Sequence, residues 1–240
     1  MTRVAIHQPE YFPLLGYLDK ARRADVLVVL DDAQFDRSSL QHRARVVGAN
    51  GPVWLTIPFV HRFPQRICEV AIADPRWSIK HRKTLQACYG RSPGWQDAAP
   101  HLEALFGGSY ERVVEVTLAS MAMLLEAFGI RTPIRLASEL GVPGEKGDRV
   151  LSICRALGAT HYLSGRTGAM YLDRQRFADE GIAIDVQAFT APEYAMVRPL
   201  APEELRGLSA LDAWFATGTG AHRLLQERMD HERPGSGGPP

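Results

Sequence analysis

Residues 2–30 read TRVAIHQPEYFPLLGYLDKARRADVLVVL, and this stretch decides the fold class. Its apolar runs at Thr2–His7 and Asp25–Leu30 predict two strands. The segment between them, Leu14–Ala24, predicts a helix with Pro13 near its start. A strand, a helix and a second strand that is apolar throughout are typical of a parallel sheet covered by helices.

The rest of the chain continues this alternation and adds helices in its middle. Further strands are predicted at Val53–Pro58, Ile67–Ile72, Ile134–Ala137, His161–Ser164 and Ile182–Phe189. Further helices are predicted at Trp77–Tyr89, Trp95–Phe106, Tyr110–Phe128, Gly147–Leu157, Arg174–Glu180, Leu208–Ala216 and His222–Met229. The polar segment Asp36–Gly51 is predicted to be a loop. We therefore expect an α/β protein with a Rossmann-like parallel sheet flanked by helices and a helical insertion in the middle of the chain.

The composition is that of an ordinary globular protein, with 240 residues, 45% hydrophobic and 23% charged. Residues 1–232 show neither an internal repeat nor a linker, which predicts one catalytic domain, and residues 233–240 predict a flexible tail. The net charge of +1 predicts a small-molecule partner rather than nucleic acid or a membrane. We expect a cytoplasmic protein, because Met1 leads directly into a strand-like run without a signal-peptide pattern.

The three cysteines, Cys68, Cys88 and Cys154, form no CxxC pair. This spacing argues against a disulfide framework and against a zinc site, so we expect no metal site of the usual kind. Cys154 lies in a predicted helix beside Leu151 and Leu157, which favours core packing, although a nucleophilic role stays open.

Polar residues follow the first two predicted strands, where parallel sheets bind their ligands. His7 is the predicted general base, because imidazole titrates near neutral pH; the alternative is a hydrogen bond to the turn after the strand. Asp31 and Asp32 are the other predicted catalytic residues. They could orient the imidazole, bind an ammonium group or hold a divalent ion, although one of them could simply cap a turn.

Substrate contacts are predicted from amide, guanidinium, aromatic and small residues near these strand ends and loops. The candidates are Gln8, Tyr11, Tyr17, Gln34, Gln41, Arg43, Trp54, Lys80, His81, Ser164, Gly165 and Tyr171. Amide and guanidinium groups suit a carbonyl, phosphate or hydroxylated substrate, whereas a solvated loop is the alternative. The Ser164-Gly165 turn lets backbone amides approach an oxygen atom, but it matches neither a dinucleotide-binding loop, a P-loop nor a GxSxG elbow.

Several of these motifs occur together in one known family. They are His7–Pro13, Gly16-Tyr17, Asp31–Phe35, Gln41–Arg43, Trp54-Leu55, Tyr162–Gly165 and Tyr171–Asp173. In this order they resemble the WbqC-like proteins. Members of that family occur in O-antigen and natural-product gene clusters, and the resemblance implies amide-forming decoration of amino sugars or amines. Where the family usually has Asn before the arginine of the Gln41–Arg43 motif, this chain has His42.

The opening strand, turn, helix and strand are also similar to those of pantothenate synthetase and its nucleotidyltransferase relatives. Those enzymes carry a histidine after the glycine of the turn, and here that position is Tyr17. A neutral phenol lacks the cationic charge that stabilises a transferring phosphate. If the fold is shared, the likeness therefore implies that adenylation is lost.

Three functions follow from these residues. The first is an N-acyl or aminoacyl transferase that needs no cofactor and joins an acyl thioester, held by a small molecule or a carrier protein, to an amine. The second is an ATP-dependent amide ligase that passes through an acyl-adenylate and uses magnesium at Asp31 and Asp32. The third is a noncatalytic protein that binds a carrier protein or a pathway intermediate.

Overall fold

The computed structural model describes residues 1–60, 62–205 and 207–226. Its strands are, in chain order, β1 (Arg3–His7), β2 (Val26–Val29), β3 (Arg43–Gly48), β4 (Gly51–Thr56), β5 (Phe59–Val60), β6 (Ala71–Ile72), β7 (Ile134–Leu136), β8 (His161–Ser164) and β9 (Ala183–Val186). Its helices are α1 (Leu15–Arg22), α2 (Trp77–Tyr89), α3 (Trp95–Gly107), α4 (Val113–Ala127), α5 (Ala137–Leu140), α6 (Lys146–Ala156), α7 (Arg166–Ala169), α8 (Arg174–Asp179), α9 (Leu211–Thr217) and α10 (Arg223–Gln226).

The central sheet has the strand order β7-β2-β1-β8-β9, and all of its pairs are parallel. The chain therefore builds the sheet outward from β1 in one direction and then crosses over to build it in the other. This arrangement confirms the predicted Rossmann-like α/β fold.

Helices cover both faces of this sheet because alternate strand residues point to opposite sides. Ala5 and Leu27 pack in the cluster that contains α1 and the inserted helices. Val4 and Val28 pack in a second cluster with α6 and α8. Helices α1 and α6 consequently lie on opposite faces of the sheet.

The predicted helical insertion is present between β2 and β7, and it also contains strands. The loop prediction for Asp36–Gly51 is wrong in its second half, because Arg43–Gly48 pairs with Gly51–Thr56 as an antiparallel hairpin. The strand predicted at Ile67–Ile72 is shortened to Ala71–Ile72, after a 3-10 turn at Ile67–Glu69.

The end of the last predicted helix, after Gln226, and the predicted tail at 233–240 lie outside the described residues. Among the residues that the structure describes, no helix has both the length and the apolar character needed to cross a membrane. The division into one domain and a tail stays a prediction.

We predict that Gly94→Ala lowers the free energy of unfolding by about 3 kcal/mol. A Cβ atom on residue 94 would lie 2.3 Å from the carbonyl oxygen of Trp214, which cannot move aside without shifting α9. Gly107→Ala is the matched control, since a Cβ atom there meets nothing within 4 Å. Urea unfolding measures both variants, and equal stability would contradict this close packing of α3 on α9.

Candidate active site

The sheet reverses its direction of construction between β1 and β8, and such a switch point opens a crevice at the carboxyl ends of the two strands. Ala5 of β1 pairs with Leu163 of β8 in a parallel register. Two residues further along each strand, His7 therefore lies level with Gly165. We call the group of residues that meet here the switch-point recess. It is defined by His7, Glu10, Tyr17, Lys20, Ser164 and Gly165.

His7 ends β1 and is partly exposed. Its ring meets the ring of Tyr17 edge-on, with centroids 4.8 Å apart. Its Nδ1 lies 3.0 Å from the carbonyl oxygen of Gln8, and since a carbonyl only accepts, Nδ1 carries the proton and Nε2 is the free acceptor. Burial, together with the charge of Lys20, lowers the pKa of His7 to about 4, so the ring is neutral at physiological pH.

Glu10 lies in the turn after β1, and sequence reasoning missed it. The turn is tight because Phe12 adopts a φ of 45°, which is held by burial of its ring and by a 3.0 Å hydrogen bond from its amide to Ser120 Oγ. The Glu10 carboxylate accepts a hydrogen bond from the Leu14 amide at 3.3 Å. Burial raises the pKa of Glu10 to about 7, against the opposing effects of this amide and of Lys20.

Lys20 lies on the side of α1 that faces the sheet and is only 5% exposed. Burial lowers its pKa, and the charge of Glu10 opposes that shift. The neighbouring Asp19 does not neutralise it, because that carboxylate already accepts from Arg22, Arg23 and the side chain of Gln187. Sequence reasoning missed Lys20 as well, since lysine on an amphipathic helix is ordinarily solvated.

The two predicted catalytic aspartates do not contact His7. Asp31 accepts hydrogen bonds from the amide and the hydroxyl of Ser138, at 3.0 and 2.6 Å, and so ties β2 to the first turn of α5. Asp32 pairs with Arg149 of α6, on the face of the sheet opposite α1. Instead, the His7 ring is oriented by its hydrogen bond to the Gln8 carbonyl oxygen.

Asp32 lines a second space, which we call the polar cleft, with a volume of about 670 Å³. Its lining includes Gln8, Asp32, Gln34, Arg66, Lys146 and Arg149. It lies at the same edge of the sheet as the switch-point recess, and Gln8 follows His7 directly in the chain. Three of the predicted site residues, Gln8, Asp32 and Gln34, are thus brought together here.

Two predicted substrate-binding residues, Tyr11 and His81, are buried in the core. The hydroxyl of Tyr11 donates to His81 Nδ1 at 2.9 Å, while His81 Nε2 lies 3.2 Å from the Thr56 carbonyl oxygen. Gln41 is also buried, and its amide donates to the Gln8 side chain at 2.9 Å. These bonds position the turn after β1 against the insertion.

The remaining predicted contacts are scattered. Arg43 lies over the half-exposed Trp54 ring at 4.6 Å on the hairpin, and Lys80 is exposed on α2. Tyr171 is 76% exposed and lines a separate cavity of about 370 Å³. The structure does not bring these four side chains to the switch-point recess.

The other recess residues predicted from the sequence are Tyr17, Ser164 and Gly165. Tyr17 is buried, and its hydroxyl points to Met121 Sδ at 3.8 Å. Ser164 is fully buried, and its hydroxyl donates to the Gly165 carbonyl at 3.1 Å. In the part of the chain that the structure describes, His, Cys, Asp and Glu side chains form no group of three or more placed to hold a metal ion.

A family model described as the WbqC-like protein family matches residues 8–224. The chain belongs to this family. The match begins directly after His7 and contains Glu10, Lys20 and Ser164. The uncharacterised protein Rv1507c of Mycobacterium tuberculosis is 27% identical over 231 residues, which cover 94% of this chain and 98% of that protein. The family resemblance drawn from the sequence motifs is therefore confirmed.

We predict that Cys154→Ser leaves activity unchanged. Cys154 is fully buried in α6, and burial raises the pKa of its thiol to about 12, so almost no thiolate is present at neutral pH. Turnover, together with a thermal melting curve, measures the effect. Loss of turnover with normal melting would point instead to an acyl group carried on this sulfur.

Proposed function

We propose that this WbqC-like protein is an N-acyl or aminoacyl transferase that forms an amide between an acyl thioester and an amine. The observation that carries the proposal is the placement of Glu10, a partly exposed carboxyl group that interacts with Lys20, which also interacts with His7 at the end of β1. Burial raises the pKa of this carboxyl group to about 7. A group with that pKa accepts and returns a proton with similar ease at neutral pH, which general acid–base catalysis needs.

In the proposed reaction the amine nitrogen attacks the carbonyl carbon of the thioester. A C–N bond forms, and the Glu10 carboxylate accepts a proton from the nitrogen. The tetrahedral intermediate then breaks its C–S bond, and the leaving sulfur takes the proton from Glu10. The products are the amide and the free thiol, and the balance needs neither ATP nor an oxidant.

His7 acts beside Glu10 in this proposal. Its pKa of about 4 makes the neutral ring a weak proton acceptor, so we assign the proton transfer to Glu10 rather than to His7. The free Nε2 of His7 is suited to accept a hydrogen bond from the same amine. That bond would aim the nitrogen lone pair at the thioester carbonyl.

An apolar cavity of about 580 Å³ supports the acyl-donor part of the proposal. It is lined by Leu14, Leu15 and Gly16, together with Phe189 and other residues of the segment after β9. Leu14, whose amide donates to the Glu10 carboxylate, is one of the lining residues, so this cavity approaches Glu10. An acyl chain in the cavity would therefore have its carbonyl end near Glu10.

The test is amide formation by the full-length protein with coenzyme A and carrier-bound thioesters and a panel of amines, with and without ATP and magnesium. Amide formation without ATP is the expected result. AMP release that depends on ATP would favour the ligase, although Tyr17 lacks the charge of a nucleotide-binding histidine. Binding without amide formation under either condition would favour a noncatalytic protein.

We predict that kcat/KM rises with pH and levels off above about 7, because Glu10 must be ionised to accept the proton. Glu10→Gln should lower the rate about a hundredfold and remove this inflection. Any inflection that remains belongs to the substrate amine. Glu126→Gln, at an exposed position of α4, should keep both the rate and the profile. An unchanged inflection in Glu10→Gln would rule out Glu10 as the base.

We predict that His7→Ala lowers turnover about a hundredfold and leaves the melting curve of the protein intact. The reason is loss of the hydrogen bond that aims the attacking amine. His101→Ala, at an exposed position of α3, is the control. Steady-state kinetics compare the two variants, and a wild-type kcat for His7→Ala would remove His7 from the mechanism.

A further inference from the structure

Lys20 is a buried cation whose charge the described protein leaves unpaired. Only 5% of the residue is exposed, its ammonium group forms no hydrogen bond or ion pair within the described residues, and its Nζ atom keeps some contact with solvent. An ammonium that is mostly removed from water and has no protein partner loses hydration that nothing in the chain replaces. Such a group therefore calls for a partner that the chain itself does not supply.

The ammonium points to the carboxyl edge of the sheet between β1 and β8. A Cβ atom added to Gly165 would lie 3.2 Å from Lys20 Nζ, so the absence of a side chain at Gly165 leaves room beside the charge. The φ of Gly165 is −74°, a value that any residue adopts. Space, rather than backbone conformation, is what glycine provides at this position.

None of the groups that face Lys20 pairs with its ammonium group. Glu10, in the turn after β1, and His7, at the end of β1, both interact with its charge, yet neither forms an ion pair or hydrogen bond with it. Asp19, on the same helix, accepts from three other side chains. The buried hydroxyl of Ser164, at the end of β8, is directed to the Gly165 carbonyl.

We propose that Lys20 anchors a carboxylate group of the substrate in the switch-point recess. The ligand would carry one negative charge, because the nearby Glu10 carboxylate repels a dianion such as phosphate about twice as strongly as a monoanion. A carboxylate on Lys20 leaves Glu10 free to face an ammonium group. The recess is thus complementary to a zwitterionic amine, such as an amino acid, and this part of the inference rests on the proposed function.

Lys20→Met tests the anchor. Methionine keeps an unbranched side chain and removes the charge, so without ligand this variant should melt at a higher temperature than the wild type. Its affinity for glycine and for acetate should fall at least tenfold. Lys83→Met, at an exposed position of α2, should change neither property. A lower melting temperature together with retained carboxylate affinity would show that Lys20 is structural and overturn the proposal.

The probes are glycine, acetate, ethylamine and inorganic phosphate, each titrated into the full-length protein with lysine labelled by ¹³C at Cε. The chain has four lysines, so the resonance of Lys20 is assigned by its loss in Lys20→Met. Glycine and acetate should shift that resonance, and ethylamine should not. A response to phosphate in place of the carboxylates would overturn the assignment of the ligand class.

Gly165→Ala provides a second variant that leaves the charge in place. The added Cβ atom would narrow the space beside Nζ, so carboxylate affinity should fall several-fold while the fold is kept. Unchanged carboxylate affinity in this variant would place the ligand elsewhere.

Different results would contradict the transferase proposal and the carboxylate-anchor proposal. If carboxylates bind at Lys20 but no thioester yields an amide, the transferase is wrong and the anchor stands. If amide formation continues in Lys20→Met with an unchanged KM for a carboxylate-bearing amine, the anchor is wrong and the transferase stands.

Discussion

The parallel pairing of β1 with β2 on one side and β8 on the other is the constraint on which the rest of the molecule depends. The connections from β1 to β2 and from β7 to β8 run to opposite sides of β1. They therefore place helices on both faces of the sheet and leave a crevice at the carboxyl ends of β1 and β8. His7 and Gly165 come to the same level only through this register. Residues that are far apart in the chain thereby form one recess.

Local patterns in the sequence were sufficient for most of the fold. The buried strand His161–Ser164 and the helix Trp77–Tyr89 have the bounds that apolar spacing predicts. The hairpin strand Arg43–Gly48 was missed because its two partly exposed arginines, which alternate with the buried Ala44 and Val46, were grouped with the polar residues of the preceding loop. The run Ile67–Ile72 was overextended, since apolar content alone does not distinguish a strand from a 3-10 turn.

The candidate site was less predictable, because sequence gives the ends of strands but not the partners of their side chains. His7 is the last residue of β1 and Asp32 follows β2, yet their side chains meet helices on opposite faces of the sheet. Lys20 is partly enclosed by Gly165, which directly follows β8, a strand that enters the sheet about 140 residues later in the chain. No local pattern encodes that proximity.

The insertion is tied to the turn after β1 by more than packing. Gln41 donates its amide to Gln8, the Leu40 carbonyl accepts from the Tyr11 amide, and Ser120 accepts from the amide of Phe12. These bonds hold the very backbone that carries Glu10. Exchanging the insertion between family members would therefore change how the turn after β1 is held, and with it the burial of Glu10, although Glu10 itself lies outside the insertion.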